Sequence, residues 1–278
     1  MTAEPQATPE SPRAFSIAML RIGTQLLRVG RQAGSGRGLP LLVFNGIGGN
    51  IELLEPLARS MPQRELITFD IPGVGHSPLP RRPYRLGGIA RLAAGVLDHY
   101  GHWQCDVLGV SWGGAAAQQF ARSEKKRCRR LILCATAMGA FMVPARPGVL
   151  LMMATPRRFV SREYARDVAG DIYGGDFRGN PGLAAGFFRH IRWQSQQGYY
   201  LQLAAAAGWT SIHWLHRLPQ PTLLMAGADD PIVPLANARL MRRLIPNAQL
   251  KVFDCGHLFL LTRHEQSVRA IEDFLDQP

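Results

Sequence analysis

The amino-acid sequence predicts an α/β fold with a mostly parallel, doubly wound sheet and an inserted helical cap. Three observations predict it: short apolar runs recur along the chain, helix-length segments separate them, and this rhythm lapses once, between about residues 138 and 218. Parallel strands buried on both faces form continuous apolar runs, and their alternation with helices is typical of a doubly wound sheet. The 278 residues, 46% hydrophobic and 19% charged, have the composition of a globular protein.

The chain is predicted to open with a polar tail and a β-hairpin. Residues 1–14 are rich in Pro, Ala and Thr and are predicted to be disordered. Residues 15–31 alternate weakly around Gly23, which predicts two antiparallel strands and a turn. Apolar runs predict further strands at 41–44, 66–69, 106–108, 131–134, 222–225 and 250–253. The intervening segments predict helices at 88–100, 114–122, 236–244 and 264–275.

The interruption of the strand pattern predicts a separate unit. Residues 138–218 are rich in Met, Phe, Trp, Tyr and Gly, and include the pairs at 187–188 and 199–200. An insertion that follows a strand of an open sheet is most economically a helical cap over the carboxyl ends of the strands, where ligands bind. We therefore expect an α/β core at 15–137 and 219–278, and a cap at 138–218.

Charge and cysteine content narrow the class of protein. The formal net charge of +12 arises from 29 arginines and three lysines that are dispersed along the chain without a nucleic-acid-binding motif, so we expect no nucleic-acid partner. No apolar run is long enough to predict a membrane span. The four cysteines lack CxxC spacing and predict reduced thiols in a cytoplasmic protein. No phosphate loop, dinucleotide fingerprint or metal-ligand spacing occurs, so the sequence predicts no cofactor and no metal.

The sharpest functional signal is the sequence GVSWGG at residues 109–114. It follows an apolar run and precedes a stretch of Ala, Gln and Phe that favours a helix. The pattern G-x-S-x-G between a strand and a helix is the nucleophile elbow of α/β-hydrolases. So tight a turn excludes side chains at Gly109 and Gly113 and exposes the hydroxyl of Ser111. The alternative is an ordinary glycine turn with a serine that caps the helix.

Two later loops supply the remaining groups of a catalytic triad. A serine hydroxyl needs a base that accepts its proton and an acid that orients the base. In α/β-hydrolases the acid and the histidine follow the serine in that order. Asp230 follows the apolar run at 222–225, and His257 follows the last run. Asp229 is the alternative acid, and Asp254 competes only if the elements are misassigned.

An oxyanion hole is predicted from two backbone N–H groups. The tetrahedral intermediate of acyl transfer carries negative charge on oxygen and needs donors aimed at it. The N–H of Trp112, the residue after the nucleophile, is the first donor. The turn NGIGG at 45–49 follows the first long parallel strand, and we assign the second donor to Ile47. A plain glycine turn is the alternative here.

Five segments carry a resemblance to a known family: FNGIG at 44–48, FDIPGVG at 69–75, GVSWGG at 109–114, GWTSIHWLH at 208–216, and residues 254–260 around His257. In these segments, and from about residue 41 to residue 274, the chain resembles the intracellular poly(3-hydroxyalkanoate) depolymerases that act on medium-chain-length bacterial polyesters, within the α/β-hydrolase superfamily. The segment at 208–216 and the Asn-Gly-Ile-Gly turn discriminate better than the elbow, which many hydrolases share. The family's serine, aspartate and histidine fall on Ser111, Asp230 and His257.

The resemblance implies a serine hydrolase that cleaves the ester bonds of this polymer through an acyl-enzyme on Ser111. It implies a polyester polymer or granule surface as partner, small hydrophobic esters as further substrates, and a cytoplasmic location with association to polyhydroxyalkanoate granules. A small-molecule carboxylesterase or a C–C bond hydrolase of the same fold is the alternative enzyme. The substrates of the latter are anionic, so an arginine in the cap pocket would favour it, and the sequence places none there. A non-catalytic granule-binding scaffold is the alternative of another class, and the complete Ser–Asp–His set argues against it.

Overall fold

The computed structural model describes residues 14–36, 38–180, 182–183 and 195–277. The predicted tail therefore lies outside the described residues except for Ala14. The aromatic pair at 187–188 of the predicted cap also lies outside them, within the segment 184–194.

One eight-stranded sheet forms the centre of the protein. Its strands are β1 (Ser16–Ile22), β2 (Gln25–Gln32), β3 (Leu41–Phe44), β4 (Leu66–Phe69), β5 (Cys105–Val110), β6 (Cys128–Cys134), β7 (Thr222–Gly227) and β8 (Ala248–Phe253). Their spatial order is β1-β2-β4-β3-β5-β6-β7-β8. The β1–β2 and β2–β4 pairs are antiparallel, and every pair from β4 to β8 is parallel. The predicted mostly parallel sheet is confirmed.

The amino-terminal hairpin forms as predicted. β1 and β2 pair from Ser16–Arg31 to Ile22–Gln25, and the turn between them holds Gly23 at a φ of +59°. Glycine adopts this left-handed conformation without the steric cost that a side chain brings. β2 then joins the hairpin to the parallel strands by pairing with β4.

Helices cover both faces of the sheet and fill the interval between β6 and β7. The helices before β6 are α1 (Glu55–Ser60), α2 (Leu86–His99) and α3 (Trp112–Ser123). The interval contains α4 (Pro147–Met153), α5 (Arg157–Val160), α6 (Arg162–Asp167), α7 (Ala169–Tyr173), α8 (Asp176–Gly179) and α9 (Gln196–Ala206). The helices after β7 are α10 (Leu235–Leu244), α11 (Phe259–Thr262) and α12 (His264–Leu275). Single 3-10 turns lie at Ile51–Leu54 and Leu215–Arg217. Within the described residues no helix is both long enough and apolar enough to cross a membrane.

The central strands are buried on both faces because successive side chains enter different cores. In β3, Leu42 and Phe44 belong to the core beneath α2 and α3, whereas Leu41 and Val43 belong to the core beneath α1 and α12. This division follows from the two-residue period of a strand. The expectation of burial on both faces is wrong for β8, where Gln249, Lys251 and Val252 are exposed because β8 is an edge strand.

A third, smaller core lies among the helices between β6 and β7. It contains the buried residues Ala165, Ala169, Ile172, Tyr173 and Phe177. Ile232 and Leu258, from the loops that follow β7 and β8, pack against it. These helices therefore lie against the loops that carry Asp230 and His257. The exact limits of a cap at 138–218 stay a prediction.

Candidate active site

Ser111 occupies a strained turn between β5 and α3. Its φ of +53° and ψ of −117° lie in a region that residues with side chains rarely adopt and that costs roughly 1–3 kcal/mol. Two hydrogen bonds hold the turn: the N–H of Ser111 donates to the carbonyl of Cys134 at 2.8 Å, and its own carbonyl accepts from the hydroxyl of Thr136 at 2.8 Å. The neighbouring strand β6 therefore supports the strained residue.

The two glycines of the elbow allow the helix to approach the sheet. A Cβ atom at Gly109 would lie 2.6 Å from the Cβ of Ala117 and 2.7 Å from the Cα of Gly114. A Cβ atom at Gly113 would lie 2.5 Å from the main-chain oxygen of Asn45. Contacts this short do not occur between real side chains, so glycine is required at both positions.

Asp230 and His257 form a buried pair. Their side chains are 1% and 5% exposed, and Nδ1 of His257 lies 2.7 Å from Oδ2 of Asp230. The other oxygen of Asp230 accepts from the N–H groups of Ile232 and Val233, each at 2.9 Å. These bonds aim the carboxylate at the imidazole and leave Nε2 of His257 as the nitrogen that is available for a proton from serine.

Asp229 and Asp254, the alternative acids, have other surroundings. Asp229 forms an ion pair with Arg178 of α8 at 2.7 Å and accepts from the N–H of Gly175 at 2.7 Å. This pair lowers the pKa of the Asp229 carboxyl below its ordinary value, chiefly through the hydrogen bond from Arg178. Asp254 is exposed. Asp230 is therefore the carboxylate that the structure places on His257.

Three of the four N–H groups from Gly46 to Gly49 donate hydrogen bonds that hold the turn at 45–49. The N–H of Gly46 donates to the side chain of Asn45 at 2.8 Å, that of Gly48 donates to Gln202 at 2.8 Å, and that of Gly49 donates to the carbonyl of Gly46 at 3.0 Å. Among the described residues, the N–H of Ile47 has no acceptor. It is thus the amide that remains available for an oxyanion.

Ser111, Ile47 and His257 line one cavity of about 370 Å³. Most of its remaining wall is apolar and includes Leu53, Leu54, Leu57, Val110, Met153, Phe159, Ile232, Leu258 and Leu261. The wall combines residues of the core with Met153 and Phe159 from the helices between β6 and β7. The cavity therefore offers room for an apolar group beside Ser111.

Two polar residues of the cavity carry charge. Glu52 accepts hydrogen bonds from Arg28 at 2.7 Å and from Asn50. Burial raises the pKa of its carboxyl, but these hydrogen bonds lower the pKa by more, so that it falls to about 2. Arg158 of α5 is 2% exposed and donates to the hydroxyl of Tyr199 at 3.0 Å. Within the described part of the chain, no carboxylate forms an ion pair with Arg158.

Sequence reasoning missed Gln202 and Arg158. Gln202 lies on α9, is fully buried, and contacts both the turn at 45–49 and Trp112. Neither residue belongs to a motif, and a lone Gln or Arg in a helix carries no signal of its own. Among the described residues no group of three His, Cys, Asp or Glu side chains forms a candidate metal site.

Comparison with known proteins agrees with this geometry. The family model described as the alpha/beta hydrolase fold matches residues 40–263. The chain is 49% identical to a poly(3-hydroxyalkanoate) depolymerase of Ectopseudomonas oleovorans, over 96% of this chain and 94% of that one. It is 30% identical to a 2-hydroxymuconate semialdehyde hydrolase of Pseudomonas putida, over 98% of this chain and 96% of that one.

Solved structures share the fold at lower identity. The enol-lactonase of Burkholderia xenovorans LB400 superposes with a TM-score of 0.80 at 19% identity, over 94% of this chain and 100% of that one. A meta-cleavage product hydrolase (CumD) variant superposes with a TM-score of 0.79 at 22% identity, over 94% of this chain and 98% of that one. Both likenesses concern the fold alone.

Proposed function

This chain belongs to the alpha/beta hydrolase family, and from that membership we propose that it cleaves the ester bonds of intracellular medium-chain-length poly(3-hydroxyalkanoate). The observation that carries the proposal is that Ser111, on its elbow, and His257, held by Asp230, line one apolar cavity. The relative at 49% identity, a poly(3-hydroxyalkanoate) depolymerase, supports the substrate class.

The proposed reaction has two acyl-transfer steps. Nε2 of His257 accepts the proton of Ser111 as its oxygen attacks the ester carbonyl, and the N–H groups of Ile47 and Trp112 stabilise the oxyanion. His257 then donates the proton to the departing 3-hydroxyl group, which leaves an acyl-enzyme on Ser111. Water, deprotonated by the same imidazole, attacks this ester, and the imidazolium returns the proton to the oxygen of Ser111 as the acid is released. Asp230 orients the ring and stabilises its charged form throughout.

The cavity suits a substrate with alkyl side chains. Each methylene group that is buried contributes roughly 0.8 kcal/mol, so a chain of several carbons gains appreciable binding free energy in an apolar wall. We therefore assign the acyl side chain of the polyester to the region that contains Leu54, Leu57, Met153 and Phe159. In this proposal, residues 138–218 form the cap over the cavity.

The test is release of 3-hydroxy acids from polyhydroxyoctanoate granules. We expect release by the wild-type protein and none by Ser111→Ala. Short nitrophenyl esters, assayed separately, identify a small-molecule esterase if they alone are hydrolysed. Binding to granules without any release by the wild-type protein would identify the non-catalytic scaffold and contradict the proposal. Sedimentation with granules also tests the granule association and cytoplasmic location that we propose.

Arg158 favours a second candidate, a C–C bond hydrolase of anionic substrates. A buried arginine at the cavity wall, without a carboxylate partner among the described residues, is suited to a substrate carboxylate. The 2-hydroxymuconate semialdehyde hydrolase at 30% identity is consistent with it. Loss of absorbance of a dienol acid substrate, measured beside the granule assay, decides between the two. Turnover of the dienol acid without polymer hydrolysis would favour this candidate.

A further inference from the structure

The geometry of the turn at 45–49 shows how the amide of Ile47 is oriented. This amide belongs to the peptide group that joins Gly46 to Ile47, and the carbonyl of the same group accepts from the N–H of Gly49 at 3.0 Å. The following peptide group carries the N–H of Gly48, which donates to Oε1 of Gln202 at 2.8 Å. Each of the two peptide planes at Ile47 is therefore fixed by one hydrogen bond.

Gln202 also contacts the residue that carries the other oxyanion donor. Its main-chain carbonyl accepts from Nε1 of Trp112 at 2.8 Å. Trp112 is the first residue of α3, where a backbone N–H has no acceptor within the helix. One residue of α9 thus contacts the turn that contains Ile47 through its side chain and the indole of Trp112 through its backbone.

From these contacts we infer that Gln202 is a positioning residue that holds the two oxyanion donors, Ile47 and Trp112, in register with each other. This inference rests on the proposed function, because those N–H groups must act as the donors. Gln202 is fully buried, so it acts through its neighbours and does not touch the substrate. Because α9 lies between β6 and β7, the cap supplies part of the support for the oxyanion hole.

The buried amide of Gln202 is consistent with this role. Within the described residues, its Nε2 atom has no hydrogen-bond partner, and an unpaired buried donor destabilises a folded protein. An apolar side chain of similar length would avoid that cost but would leave the N–H of Gly48 without its acceptor. The acceptor oxygen is therefore the part of the side chain that stabilises the turn at 45–49.

The experiment replaces Gln202 with methionine, which has a similar length and lacks the acceptor. We expect Gln202→Met to lower kcat for nitrophenyl octanoate about 10- to 100-fold, because a displaced oxyanion donor stabilises the transition state less. We expect KM to change by less than about threefold, since the substrate's ground state is bound by other groups.

A boronic acid separates positioning from general structural damage. Octylboronic acid forms a tetrahedral anionic adduct with an active serine and resembles the transition state, whereas 3-hydroxyoctanoate, the proposed product, does not. The dissociation constant of the boronate should rise by the same factor as kcat/KM falls, while that of the product changes by less than about threefold. Equal weakening of boronate and product would overturn the inference.

Gln118→Met is the matched control. Gln118 is also fully buried, and its amide links α3 to the carbonyl of Ala137 at 3.0 Å and to the hydroxyl of Ser211 at 2.6 Å, away from the turn at 45–49. We expect this variant to keep the wild-type ratio of boronate to product affinity. If Gln118→Met and Gln202→Met change that ratio equally, the role of Gln202 is structural only and the inference is wrong.

Trp112→Phe provides a second variant should Gln202→Met not fold. It removes the indole N–H that donates to Gln202 and keeps the backbone N–H. We expect boronate affinity to fall about three- to tenfold with product affinity unchanged, and an unchanged boronate affinity would contradict the inference. Both assays use small ligands. A failure to hydrolyse polyester would therefore contradict the proposed substrate but would not affect the test of Gln202.

Discussion

At the scale of residues, the site depends on an ordered chain of hydrogen bonds. Ile232 and Val233 fix the carboxylate of Asp230, and Asp230 fixes the ring of His257. The main-chain N–H of His257 also donates to the main-chain carbonyl of Tyr173 at 2.7 Å, so α7 helps to position the histidine. Burial raises the pKa of the Tyr173 hydroxyl, which therefore stays neutral.

The acid of the triad can be identified by a pair of adjacent substitutions. Asp230→Asn should lower kcat about 10³- to 10⁴-fold, because an amide favours the wrong tautomer of the histidine and does not stabilise its charged form. Asp229→Asn removes only an exposed ion pair with Arg178 and should keep kcat within about threefold of wild type. Initial rates with nitrophenyl octanoate measure both. A larger loss in Asp229→Asn than in Asp230→Asn would exchange the two assignments.

Sequence reasoning at this scale found the residues that belong to motifs. Ser111 and His257 follow apolar strands with glycine beside them, and the turn at 45–49 is rich in glycine. Gln202 and Arg158 could not be found in this way, because their importance comes from the side chains that folding brings near them. Gly48 and Gln202 are 154 residues apart, and the sequence around neither residue indicates that they are in contact.

At the scale of elements, the strand–turn–helix of β5, Ser111 and α3 is tightly packed. Close packing of α3 on the sheet positions the amino terminus of the helix, and with it the N–H of Trp112, beside Ser111. This packing depends on the glycines at 109 and 113.

Two glycine-to-alanine substitutions test that constraint. Gly109→Ala introduces a Cβ within 2.7 Å of α3 and should lower the free energy of unfolding by about 3 kcal/mol. Gly148→Ala is the matched control: Gly148 is exposed on α4, nothing lies within 4 Å of the added atom, and alanine should be neutral or stabilise the helix by up to about 1 kcal/mol. Urea denaturation followed by circular dichroism gives both values. Equal stability of the two variants would show that the elbow tolerates a side chain.

Strands and long helices were predictable from the sequence, and short helices were not. The strands predicted at 41–44 and 66–69 and the helix predicted at 264–275 coincide with β3, β4 and α12. The helix predicted at 114–122 begins two residues earlier, because Trp112 already belongs to α3. Helices of four to seven residues, such as α5 and α8, contain too few turns to show a helical period, so sequence reasoning could not resolve the helices between β6 and β7.

At the scale of the whole molecule, ion pairs join distant parts of the chain. Arg28 of β2 binds Glu52 at 2.7 Å and Asp70, after β4, at 3.0 Å. Asp176 of α8 binds Arg263, between α11 and α12, at 2.7 Å, and Arg178 of α8 binds Asp229 in the loop after β7. The pair with Arg28 holds Glu52, a residue of the cavity wall, against β2.

The Arg28–Glu52 pair predicts part of the acid sensitivity of the fold. The pKa of Glu52 in the folded protein is about 2, below its ordinary value of 4.5, so its stabilising contribution is complete above about pH 5 and is lost as the pH falls towards 2. This loss should amount to about 2 kcal/mol between pH 7 and pH 3.

Urea denaturation of wild type and Glu52→Gln at both pH values measures this contribution. The neutral glutamine does not titrate, so the variant should be less stable than wild type at pH 7 and should lose less stability on acidification. If both proteins lose the same free energy of unfolding between pH 7 and pH 3, Glu52 is not a source of acid sensitivity.

In the proposed reaction, the oxygen of Ser111 becomes acylated during turnover. Acid quenching within milliseconds of mixing with the nitrophenyl ester of 3-hydroxyoctanoate, followed by proteolysis and mass spectrometry, locates the acyl group. We expect a 3-hydroxyoctanoyl group on the peptide that contains Ser111, and none in Ser111→Ala. An acyl group on another residue, or continued turnover by Ser111→Ala, would contradict it.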